Sequence, residues 1–208
     1  MKKILLIGNQ NNNFFSLCRF LRDSNYDANL LLMNSETKHH MPEADSYDDN
    51  FNDFVTESDL SRLPTGFLNT KKQYINDLIY DYDIIIGCGL TPAYLNKVRK
   101  RLDIFIPYGS DLMFQPFYGG KNIFHKRILK IFYQVHHQKN GILNTRHITL
   151  PITNPIIENC IDKLGYKGNR IFSHIPFIYN KQYDRIILDN HIKASNNKTI
   201  DDYVKLRE

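Results

Sequence analysis

The sequence predicts an α/β fold, an open and mostly parallel sheet with helices on both faces. Two observations carry this. Short apolar runs alternate with segments of helical period, the signature of βαβ units. The runs end in glycine-bearing or polar turns, and several of these turns lead into a helix start. The 208 residues suit one large domain, and a hydrophobic share of 42% can fill its core.

The elements follow in order. "KILLI" (3–7) is a buried strand closed by Gly8 and the polar loop "GNQNNN". Phe14, Leu17 and Leu21 then mark one helix face at i, i+3, i+7. "ANLLLM" (28–33) is the second strand, and residues 34–58 form a long acidic stretch without a clear period. "KKQYINDLIYDY" (71–82) reads as a helix with Tyr74, Ile75, Leu78 and Ile79 on its apolar side. "DIIIGCG" (83–89) is a third strand entering a glycine turn. Thr91-Pro92 supplies an N-cap and a first-turn proline, and Leu95, Val98 and Leu102 form the buried stripe of the helix that follows.

"DIFIPYGSDL" (103–112) is the fourth strand. "NIFHKRILKIFYQVHHQKNG" (122–141) is an amphipathic helix with Phe124, Ile128, Ile131 and Val135 on its core side and Gly141 placed to stop it. "GILNT" (141–145) reads as a fifth strand. Thr153 or Asn154 caps a helix with Pro155 at its start and Gly165 at its end. "RIFSHIPF" (170–177) is the sixth strand, and "RIILDNHIKA" (185–194) could begin a seventh.

Charge is unevenly spread. The net charge is +5, yet Met41 to Ser61 holds seven acids and no Lys or Arg. Leu95 to Arg146 carries ten bases against Asp103 and Asp111. That excess suits an anionic partner, or simply a solvated basic face. Lys126, Arg127 and Lys130 are the candidate contacts to an anionic membrane surface or acceptor. Nucleic acid is disfavoured, because no recognition motif accompanies the charge.

Other classes fall away. The apolar run after Met1 is shorter than the roughly 7–15 residues of a signal-peptide core, and no run reaches the roughly 18 of a membrane span. The N-terminus therefore reads as the first strand of a cytoplasmic protein. Cys18, Cys88 and Cys160 are far apart, and the histidines lie in diverging adjacent pairs or eleven residues apart along a helix, so no metal site is expected. "GNQNNN" lacks both the spaced glycines of a dinucleotide fingerprint and the Gly-Lys-Ser/Thr of a phosphate loop, so no such cofactor is expected.

In a parallel sheet, ligands bind beyond the carboxyl ends of the strands. Three polar turns share that rim. Candidate binding residues are Gly8, Asn9, Gln10, Asn11, Asn12 and Asn13 in the first turn, and Gly89, Leu90 and Thr91 in the second. Tyr108, Gly109, Ser110 and Asp111 form the third. Turn chemistry alone needs many of the same residue types.

With these pieces in order, the chain resembles the N-terminal half of bacterial retaining GT-B glycosyltransferases. The resemblance runs through residues 2–33, "YDIIIGCGLTPAYL", "IFIPYGSDL" and residues 152–183. It implies a Rossmann-like acceptor-binding domain over 1–183, with 184–208 a tail or the start of a missing donor-binding domain. It implies a nucleotide-sugar donor held mainly by that missing domain, and a lipid-linked or saccharide acceptor in surface-polysaccharide assembly. The protein would then sit in the cytoplasm or at the inner membrane face. The resemblance puts Tyr108 where the family has a histidine, and it gives Tyr108 and Asp111 the candidate catalytic roles. An α/β binding or regulatory domain without catalysis, or one subunit of a two-protein transferase, is the alternative.

Overall fold

The computed structural model describes residues 1–34, 40–44, 51–117, 126–151, 154–173 and 179, with backbone only at 126–128 and 130. The described strands are β1 (Lys3–Ile7), β2 (Asp27–Asn34), β3 (Val55–Ser61), β4 (Ile84–Gly87), β5 (Ile104–Phe105), β6 (His147–Leu150) and β7 (Asn169–Phe172). They form one sheet in the order β3-β2-β1-β4-β5-β6-β7, parallel throughout. This is the expected α/β, Rossmann-like architecture. The chain builds outward from β1 in one direction, then returns to lay β4 on its other side. The strand order therefore reverses between β1 and β4, and a crevice opens there at the carboxyl ends.

Side chains alternate across the strands, which explains the two-sided core. Leu5, Ile7, Leu31, Phe105, Ile148 and Leu150 face one side. There they meet α2 (Pro64–Asn69) through Phe67, α3 (Lys72–Ile79) through Ile75 and Ile79, and α4 (Thr91–Lys97) through Leu95. Ile142 of α6 (Lys126–Leu143) and Ile161 of α7 (Pro155–Leu164) complete that layer. Ile4, Leu6, Leu30, Leu32 and Ile86 face the opposite side, against Phe14, Phe15 and Cys18 of α1 (Asn13–Asp23). Central strands covered on both faces must be apolar at every position, and "LLI" and "III" are.

Several expectations need correction. Residues 55–61 are not structureless: β3 is an edge strand whose Thr56, Glu57 and Asp59 meet solvent, which erases the apolar signal. The fifth strand expected at 141–145 lies instead at His147–Leu150 as β6. Gly141 does not stop α6 but sits inside it. A Cβ at that position would lie 2.0 Å from the Pro92 carbonyl oxygen, so the glycine is there to let α6 press onto α4. The stripe of α6 also differs: Gln134, Gln138 and Ile142 are buried, whereas Ile131 is exposed. The glutamines can enter the core because each bonds backbone groups there. The helix at Pro155 forms as expected, with the Asn154 Oδ1 accepting from the Ile156 and Ile157 N–H groups. A seventh strand at 185–194, and the tail at 184–208, lie outside the described residues.

Candidate functional site

Each of the three rim turns has its own internal logic. After β1, Gly8 takes a left-handed φ of +85°, and a Cβ there would approach the Cys88 Sγ to 2.8 Å. Asn11 and Asn12 also have positive φ, which asparagine tolerates better than most residues. The Asn9 Oδ1 accepts from the Phe15 N–H at 3.0 Å, at the start of α1. Its Nδ2 donates to the Asn12 Oδ1 at 2.7 Å and to the His40 carbonyl. The Asn12 Nδ2 donates to the Met41 carbonyl at 2.9 Å, and the His40 Nε2 meets the Asn11 Oδ1 at 3.1 Å. The asparagines thus fold the turn onto itself and pin residues 40–41 to it. Asn9, Asn12, Asn13 and His40 are all buried.

The second turn joins β4 to α4. Thr91 is buried inside α4 instead of capping it, and its hydroxyl donates to the Ile7 and Cys88 carbonyls at 3.1 and 2.7 Å. It ties β4 to the end of β1 and presents no group to a ligand. The third turn runs from β5 into α5 (Ser110–Met113). Here the Asp111 carboxylate accepts from the backbone N–H groups of Tyr108 (3.1 Å), Gly109 (2.9 Å) and Gly89 (3.0 Å). It fastens the second turn to the third. Burial pushes Asp111 up to about 6, against the pull of the Gly89, Tyr108, Gly109 and Leu112 N–H groups. Gln138 of α6 completes the bracket: its Oε1 accepts from the Ala93 N–H, and its Nε2 donates to the Gly89 and Asp111 carbonyls at 2.9 and 3.0 Å.

Between the turns lies a crevice of about 80 Å³, lined by Gln10, Arg62, Gly89, Leu90, Tyr108, Ser110, Asp111 and Gln115. Six of these are among the residues that the sequence singles out. Gly8, Asn9, Asn11, Asn12, Asn13, Thr91 and Gly109 build its frame instead. Arg62 and Gln115 escape sequence reasoning. Arg62 follows the edge strand that the polar pattern hides, while Gln115 lies four residues beyond Asp111 and would be reached by extending the Tyr-Gly-Ser-Asp turn. The Tyr108 ring packs edge-on against Phe14, with centroids 6.3 Å apart. Burial raises its phenol well above the usual value; Cys88 and Asp111 add to this, and the Asn13 amide opposes it. The Tyr108 Oη and the Gln115 Oε1 are enclosed in the crevice wall, and neither closes a well-formed hydrogen bond among the described residues. A buried polar atom left so costs about 1–3 kcal/mol.

Other candidates contribute less. A cavity of about 290 Å³ beyond β2 and β3 is lined by Asn34, Met41, Glu57, Asp59 and Tyr74 among others, and the Tyr74 oxygen already accepts from the Asp59 N–H. No group of three or more His, Cys, Asp or Glu side chains among the described residues could hold a metal. Burial pushes the Cys18 thiol up to about 12, against Arg22 and Arg19, so it is inert. Lys126, Arg127 and Lys130 lie in the first turns of α6, with side chains outside the description. Among the described residues no helix is long and apolar enough to cross a membrane.

Fold and site together define a Rossmann-like α/β domain with a polar crevice at its strand-order reversal. No family model and no curated protein matches the chain. Among solved structures it is similar to a short-chain dehydrogenase/reductase of Veillonella parvula in complex with NADP, at 10% identity and a TM-score of 0.39, over 84% of this chain and 95% of the other. It is similar to the oxidoreductase ylbE of Lactococcus lactis at 15% identity and a TM-score of 0.39, over 91% and 98%. A third similar structure comes from work on pinoresinol-lariciresinol and phenylcoumaran benzylic ether reductases, at 10% identity and a TM-score of 0.39. There the match covers 72% of this chain but only 49% of the other.

These findings correct the glycosyltransferase expectation, with its nucleotide-sugar donor, its lipid-linked acceptor and its place in polysaccharide assembly. The similar solved structures carry the names of a dehydrogenase/reductase, an oxidoreductase and ether reductases, and none is named a glycosyltransferase. Runs of strand, glycine turn and helix are what a parallel sheet demands of any sequence, so the resemblance read the frame and not the chemistry. At these scores the likeness assigns no activity to this chain.

Proposed function

We propose that residues 1–183 form a ligand-binding domain that takes a small hydroxylated molecule in the crevice over β1, β4 and β5. The observation that carries this is that Tyr108 and Gln115 line one crevice, where the enclosed Gln115 Oε1 accepts no well-formed hydrogen bond among the described residues. Buried polar atoms are paired as a rule, and a ligand hydroxyl that meets a slightly turned Gln115 amide removes the cost. The crevice holds about three waters' volume, enough for the polar head of a metabolite with the rest outside. Asp111 and Gln138 act as positioning residues that fix the turns. Cys18, Cys88 and Cys160 are not joined in disulfides, which agrees with a reducing, cytoplasmic setting.

The NADP of one similar structure is not carried over to this chain. In such folds the dinucleotide diphosphate lies on the first helix N-terminus. Here the Asn9 carboxamide holds the Phe15 N–H, and residues 40–41 close over the turn. The test is a side-chain amide NMR screen of polyols, hydroxy acids and sugar phosphates against the full chain. Shifts of the Gln115 amide support the reading. A ligand set that moves only resonances away from Gln115 and Tyr108 refutes it.

A further inference from the structure

β7 closes one edge of the sheet, yet Tyr179, seven residues past its end at Phe172, sits on α1. That helix packs towards the other edge, against Ile4 and Leu6 of β1 and Leu30 and Leu32 of β2. Three α1 side chains make the seat. The Tyr179 hydroxyl donates to the Asp23 Oδ2 at 2.9 Å, and its ring meets the Phe20 ring edge-on with centroids 5.0 Å apart. The Arg19 guanidinium lies 4.0 Å from the Tyr179 ring centroid and 4.3 Å from that of Phe15. One cation thus holds both rings, each inside the roughly 6 Å reach of a cation–π contact. Phe15 and Arg19 are one helical turn apart, so they share a face of α1.

Phe15 carries the contact on to the crevice frame. It is buried, and its N–H is one of the helix-start donors that have no acceptor within the helix. That N–H donates to the Asn9 Oδ1 at 3.0 Å, and the Asn9 Nδ2 in turn holds Asn12 and the His40 carbonyl. Direct contacts therefore run from Tyr179 through Arg19 and Phe15 to the first rim turn.

We infer that Tyr179 is a latch: seated, it holds Arg19 on the Phe15 ring and so steadies the Asn9 turn; unseated, it frees both. The chain beyond β7 thereby sets how firmly the crevice frame is held. The inference concerns that frame alone and stands or falls apart from the ligand proposed for the crevice.

The experiment compares backbone amide exchange, read by NMR, in the full chain and in its Tyr179→Ala and Tyr179→Phe variants. In Tyr179→Ala the Phe15 amide should exchange about fivefold faster or more, the change expected when a cation–π contact and a hydrogen bond are lost together. The amides of Ile86 in β4 and Ile161 in α7 should keep their rates. Tyr179→Phe keeps a ring for Arg19 and loses only the Asp23 bond, so it should fall between the wild type and Tyr179→Ala. Trypsin cleavage after Lys181 should rise in the same order. If all three amides speed up by one factor, the substitution has weakened the whole fold and the latch is refuted. If cleavage rises while the Phe15 amide keeps its wild-type rate, Tyr179 tethers the chain without acting on the turn, and the inference is overturned. Unchanged rates of both exchange and cleavage overturn it as well.

Discussion

Asp111 offers the sharpest test of the site's electrostatics. Its carboxylate is buried and accepts several backbone N–H bonds, two effects of opposite sign. Burial disfavours the charged form, whereas the N–H donors favour it. Burial wins, and the group moves from 3.8 to about 6. A raised folded-state value means that the native protein holds this proton more tightly than the unfolded chain. Stability from this group is therefore full below pH 3.8 and falls as pH rises toward 6 and beyond. A shift of roughly two units corresponds to about 3 kcal/mol in all, of which about 2 kcal/mol lies between pH 4 and pH 7.

Wild-type stability alone would blur this, because His137 runs the other way. Burial, then His136, Lys97 and Lys72, lower His137 to about 4, and its ring nitrogen sits 2.7 Å from the Asn96 amide. It stabilises the fold above 6.5 and loses that contribution as pH falls toward 4. The comparison must therefore be between the wild type and Asp111→Asn, which share His137. Urea denaturation at pH 4 and pH 7 gives the stability gap at each. The wild type should lose about 2 kcal/mol relative to the variant on going from pH 4 to pH 7. A gap that stays constant refutes the reasoning. A gap that moves in favour of the wild type would mean that the N–H bonds outweigh burial and that the carboxylate is a stabilising cap.

Three further outcomes follow from the geometry. Gly141→Ala adds a Cβ 2.0 Å from the Pro92 carbonyl oxygen, and it should destabilise by about 1–3 kcal/mol in urea despite alanine's better helix propensity. Lys97 donates from a buried site to the Phe67, Leu68 and Thr70 carbonyls. Lys97→Met leaves these without that donor, and it should cost about 2–4 kcal/mol by the same assay. NADP should leave the melting temperature of the chain unchanged, since the Asn9 turn already fills the start of α1; a clear rise would overturn that reading.

The fold was legible because its signals are strong and local. "KILLI", "DIIIGCG" and the Asn154-Pro155 helix start each state their element within a few residues, and they form where expected. What was hidden shares one cause: polar side chains placed by backbone bonding instead of by burial patterns. β3 shows polar residues to solvent at the sheet edge, so its alternation reads as loop. Gln134 and Gln138 lie on the buried stripe of α6 because they bond backbone groups of Arg62, Gly89, Ala93 and Asp111, partners that no periodicity reveals. The same blindness affects the site. Turn-forming residues and ligand-binding residues are the same types, and of the Tyr-Gly-Ser-Asp turn, Asp111 and Gly109 serve the turn while Ser110 and Tyr108 border the crevice. The two roles separate only when hydrogen bonds are counted atom by atom. Asp111 has its partners within the frame, whereas the Gln115 Oε1 has none among the described residues, and that difference is what supports the proposed binding crevice.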